Sequence, residues 1–109
     1  MLVNAMPGSS WDAEAMFWSG IALGKLERYT ESIEMFDAAV TQAQSNPDAK
    51  FAWIGADAMF NKAIAVNLSG DPDTAIEIMR QVEETYADTE DATIKVIVSD
   101  VQRWIDLQP

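Results

Sequence analysis

Ala15-Met16-Phe17-Trp18-Ser19-Gly20-Ile21-Ala22-Leu23 is echoed 43 positions later by Ala58-Met59-Phe60-Asn61-Lys62-Ala63-Ile64-Ala65-Val66. Ala, Met, Phe, a small residue, Ile, Ala and an aliphatic recur in register. The register continues downstream: Tyr29 falls on Pro72, Ser32 on Ala75, Ile33 on Ile76, Glu34 on Glu77, Phe36 on Met79 and Ala39 on Val82. A match that runs through two apolar stretches and the turn between them marks a duplicated supersecondary unit. Each unit pairs a small residue (Gly20, Ala63) with a small one (Ser32, Ala75) and then a large one (Phe36, Met79) on the facing segment. Alternation of small and large residues is how antiparallel helices interlock.

Start and stop signals divide the chain into five helices. Ser9-Ser10-Trp11-Asp12 opens the first, Trp11 to Leu26, with a hydroxyl to cap backbone N–H groups and an acid in the first turn. The second runs from Thr30 to about Gln44, with Ile33, Phe36, Ala39 and Val40 on one face. After a turn at Ser45-Asn46-Pro47-Asp48, with Asp48 as cap, the third spans Ala49 to about Leu68 and stops at Ser69-Gly70. Asp71-Pro72 opens the fourth, whose stripe is Ala75, Ile76, Met79, Val82 and Tyr86. Asp88 or Thr89 caps the fifth, which runs to about Leu107 with Ile94, Ile97, Val98, Val101, Trp104 and Ile105 as its stripe. The β-branched run Thr93 to Val98 has strand propensity, but its apolar spacing continues at helical period through Ile105, so it is read as helix.

Met16, Gly20, Leu23, Tyr29, Ser32, Phe36 and Ala39, and again Met59, Ala63, Val66, Pro72, Ala75, Met79 and Val82 with a turn glycine at Gly70, resemble the tetratricopeptide repeat (TPR) family. The resemblance covers about residues 13–87. It implies an all-α, right-handed superhelix of antiparallel helix pairs: repeat 1 at about 11–46, repeat 2 at about 48–87 and a terminal helix at about 89–107. The offset of 43 exceeds the usual repeat length of about 34 residues, so the intervening helices gain roughly two and a half turns. Two repeats are also fewer than the usual array of about three, and the fifth helix is expected to act as the capping cover.

Composition narrows the chemistry. The 109 residues include no Cys and no His, which removes thiol and imidazole nucleophiles, a histidine base, zinc sites built from those ligands, and disulfides. With 18 acidic residues against 7 basic ones, the net charge of −11 opposes contact with nucleic-acid phosphates. No stretch is long and apolar enough to span a membrane, and Met1 to Ser10 does not read as a signal peptide, which points to the cytoplasm. The carboxylate pairs read as helix caps and solvated faces rather than as general acid–base pairs. Counted from Asp71, a calcium loop would need Gly and Glu where Ile76 and Val82 stand. No enzyme activity, cofactor or metal is expected.

The expected function is protein–protein interaction. In TPR proteins the first helix of each pair lines a concave, peptide-holding groove. By that resemblance Phe17, Ile21 and Gly24 of the first copy, and Phe60, Asn61, Ile64 and Asn67 of the second, line an apolar groove with an acidic rim suited to a basic-flanked partner segment. Ile94 and Val98 stand in a similar relation on the fifth helix, and Trp18 and Trp53 extend the surface. Apolar stripes at helical spacing are also what packs neighbouring helices together, so the same residues have a core reading. A chaperone-tail clamp is not expected: its Lys and Asn positions are Phe17 and Ile21 here, only Asn61 matches, and the charge opposes an acidic tail. Two alternatives stand beside docking. One is homo-oligomerisation, in which two copies complete each other's stack; the other is mimicry of nucleic acid by the acidic surface.

Overall fold

The computed structural model describes residues 10–45 and 52–108. These form five helices and, among the described residues, no strand: α1 (Ser10–Lys25), α2 (Tyr29–Gln44), α3 (Ala52–Leu68), α4 (Pro72–Thr85) and α5 (Ala92–Asp106). Thr93 to Val98 is helical, as the spacing through Ile105 requires. The turn at Asn46-Pro47-Asp48, the cap at Asp48 and the start at Ala49 lie outside the described residues.

α3 is apolar around most of its circumference, and it packs against all four other helices. An all-round apolar helix needs that much cover. α1 touches α2 and α3, while α5 touches α3 and α4. Neighbours run antiparallel: Asp37 of α2 meets Lys62 of α3, and further along α2 Ala43 lies beside Gly55. The molecule extends 43 × 34 × 16 Å, and its thin dimension holds two helix layers at a usual interaxial distance of about 8–10 Å.

The duplication extends to the turns. After α1, Arg28 N–H donates to Leu23 C=O (2.9 Å) and Glu27 N–H to Gly24 C=O (3.0 Å), with Glu27 at φ 60°. After α3, Asp71 N–H donates to Val66 C=O (3.2 Å) and Gly70 N–H to Asn67 C=O (3.0 Å), with Gly70 at φ 106°. Both are Schellman caps, and only the second has the glycine that a left-handed residue favours. Glu27→Gly is therefore expected to stabilise the fold by about 0.5–1 kcal/mol, since relief of the left-handed strain outweighs the entropy glycine adds to the unfolded chain. A rise in the urea midpoint at constant slope would show it; a fall would mean that the Glu27 side chain matters more than its backbone.

Three helix boundaries and one stripe differ from the sequence reading, the first being α1, which is Ser10–Lys25 rather than Trp11 to Leu26. α2 begins at Tyr29 rather than Thr30, because Arg28 serves both as the last residue of one cap and as the N-cap of the next helix. α5 is capped by Asp91, not by Asp88 or Thr89. The Asp91 carboxylate accepts from Ile94 N–H at 3.1 Å, and Thr89 instead accepts from Asp91 N–H. An N-cap oxygen reaches an N–H two or three residues ahead, which Asp88 and Thr89 stand too far back to do. On α4, Ile78 is buried alongside Ala75, Met79 and Val82, whereas Ile76 and Tyr86 are only half-buried. The Asp71 cap on Thr74 N–H and Pro72 in the first turn stand as read.

The core has two clusters. One joins Met16, Phe17, Phe36, Ala39, Ile54 and Ala58; the other joins Val66, Met79, Val82, Ile94, Ile97 and Val101 with their small neighbours. Trp53 packs against both. Within the first unit Ser32, fully buried, donates its hydroxyl to Gly20 C=O at 2.7 Å, and the Phe36 ring lies where a Cβ on Gly20 would be. In the second unit Ala63, Ala75 and Met79 hold the matching positions, all fully buried.

Candidate functional site

The end of α1, the start of α2 and the end of α3 enclose an open cleft of about 250 Å³. Its floor exists because Gly20, Gly24 and Ser32 carry little or no side chain where α1 crosses α2. Ile21 faces it from α1, Ile64 and Leu68 from α3, and Phe36 from below. Its polar groups are Lys25, Tyr29, Asn61 and the Ser32 hydroxyl. The space lies just under the usual range of small-molecule pockets, about 300–1,000 Å³, and suits one or two side chains of a partner segment.

Four of the seven residues expected to line a groove meet here: Ile21, Gly24, Asn61 and Ile64. The other three do not line it. Phe17 is 2% exposed and is core, held by ring contacts with Phe36 (centroids 6.1 Å apart) and Trp53 (6.0 Å). Phe60 is half-buried against the second cluster, and Asn67 is half-buried outside the cleft. Trp53 likewise is taken up in the core, and Trp18 is 57% exposed with its ring against the edge of Phe17. Ile94 is buried and Val98 half-buried on α5. The periodicity of α1 identifies the stripe that holds both Phe17 and Ile21. It does not reveal that Trp53, arriving from α3, covers one and leaves the other open.

The acidic rim is not at this cleft, because no carboxylate lines it. Lys25 stands in the last turn of α1, where a cation complements the helix dipole. The acids gather elsewhere, Glu31 and Glu34 along the outer side of α1 and α2, and Glu84, Asp88 and Asp91 around the turn from α4 to α5. One turn before Asn61 on α3, Asp57 has its pKa raised, first by burial and then by the nearby Asp100 charge, against a lowering hydrogen bond from Asn61 (3.0 Å). Asn61 also donates to Asp57 C=O, so its amide is oriented before any ligand arrives.

Among the described residues no helix is long and apolar enough to cross a membrane, and no three acidic side chains group to hold a metal ion. No family model, curated protein or solved structure matches the chain.

Proposed function

We propose that the chain is a non-catalytic interaction module of TPR-like build, whose cleft receives one or two apolar side chains of an extended partner segment. One observation carries this reading: the duplicated unit sets Ile21 and Ile64, equivalent positions of its two copies, around one open cleft floored by Gly20, Gly24 and Ser32. Lys25, Tyr29 and Asn61 at its edge suit the carbonyl and amide groups of a peptide backbone better than a basic flank. The cytoplasm is the compartment proposed with it.

Ile64→Gln tests the proposal. Ile64 is half-buried at the edge of the second core cluster, and glutamine of similar size removes the apolar wall with little change in volume. Partners retained by the wild type from lysate are expected to bind the variant about tenfold more weakly, with unchanged circular dichroism. Equal affinity in a folded variant would sink the cleft as the docking site.

A further inference from the structure

The duplication allows the chain's own second unit to serve as a template for the outer edge of its first. In the second unit Ala65, Val66 and Ile78 are buried (4%, 7% and 7% exposed). α2 lies along that side of α3, and its Ile33 packs on the cluster that holds Val66 and Ile78. The equivalent residues of the first unit are Ala22, Leu23 and Met35. They line an open groove of about 490 Å³ between α1 and α2, where Ala22 is exposed and the other two are half-buried. Beside it Trp18 and Leu26, each one turn from Ala22, are 57% and 65% exposed. The first unit thus presents the apolar surface that a helix covers in the second, with no helix of the described residues upon it.

Charge identifies what fits. In the second unit Lys62 pairs with Asp37 of the covering helix at 2.7 Å. The equivalent of Lys62 is Ser19, and the equivalent of Thr74 is Glu31; both residues line the open groove, together with Glu34. Arg28 holds Glu31 in a two-pronged ion pair, and Glu34 has no such partner among the described residues. Relative to its template, the groove lining has lost its cation, while the added Glu31 is neutralised by Arg28, which stands where the template has Asp71; Glu34 is the free charge at the groove. A helix like α2, which has three acids and no base, would find no cation in this lining to pair with. We infer that the α1–α2 outer groove docks an amphipathic helix of a partner protein, with an apolar stripe over Ala22, Leu23 and Met35 and lysines or arginines toward Glu34. This site is separate from the cleft proposed above and does not depend on it.

The test uses a labelled helical peptide as long as α2, with leucines on one stripe and lysines flanking them, beside a twin with glutamates for the lysines. Anisotropy is read at physiological ionic strength, where general attraction to a −11 protein is screened. The lysine peptide is expected to bind at least about tenfold more tightly than its twin. Ala22→Trp, which fills the groove from an exposed position, and Glu34→Lys are each expected to weaken it by about tenfold. Glu84→Lys, an equal charge change on exposed α4, and Ile64→Gln in the cleft are expected to leave it unchanged. Equal loss with Glu34→Lys and Glu84→Lys would overturn the inference in favour of bulk charge. Loss with Ile64→Gln alone would move the peptide to the cleft. A wild-type dimer that Ala22→Trp dissociates in light scattering would make the occupant a second copy. Failure of both peptides to bind would also overturn it, and none of these results touches the cleft reading except the second, which supports it.

Discussion

Phe17→Ala is expected to destabilise the fold by about 3–5 kcal/mol, the usual cost of removing a fully buried phenylalanine. Native domains are stable by only about 5–15 kcal/mol, so this is a large share of the total. The ring is 2% exposed and stands between Phe36 of α2 and Trp53 of α3, so its loss opens a cavity where three helices meet. Trp53 also packs on the second cluster, which couples the cavity to the rest of the molecule. Urea unfolding followed by circular dichroism should show a lower midpoint with an unchanged slope. Ile21→Ala, one turn further along the same face but open to the cleft, should cost much less. Similar losses for the two would mean that Phe17 is not the more deeply held residue.

The second large effect is steric. Gly20→Ala would ordinarily favour the helix by about 1 kcal/mol. Here the added Cβ would meet the Phe36 ring at 2.6 Å, with two more ring carbons within 2.9 Å. The ring is 2% exposed with Phe17 on one side, so relief would require it to shift toward the cleft. Overpacking of this kind costs about 1–3 kcal/mol, so a net loss of stability is expected. The second unit shows the remedy, since the matching positions there hold Ala63 and Met79, a flexible side chain without a ring, in one buried cluster. The pair Gly20→Ala with Phe36→Met should recover most of the loss in a double-mutant cycle, because residues in contact are not additive. Purely additive losses would show that the glycine is needed for another reason.

Much of the fold is legible in the chain. The 43-residue offset, the small–small–large pairing of Gly20, Ser32 and Phe36, and the Asp71-Pro72 start are local patterns, and each is realised as a contact or a cap. The cleft is partly legible: the register places Ile21 with Ile64, and the glycines mark where space is left. Phe17 and Phe60 show where the reading stops. They are equivalent by register, yet Phe17 has three ring partners and Phe60 makes no ring contact among the described residues.

Helical period and capping chemistry are properties of neighbours a few residues apart, so five helices, their antiparallel pairing and the internal duplication can be read directly from the chain. Burial is a property of what arrives from elsewhere in the chain. Packing between helices puts Trp53 of α3 over Phe17, sets Lys25 rather than a carboxylate at the edge of the cleft, and leaves Glu31 and Glu34 beside a groove that no helix of the described residues covers, on the other side of α1. A stripe of apolar residues states which side of a helix avoids water; which part of that stripe another helix covers depends on how the helices cross.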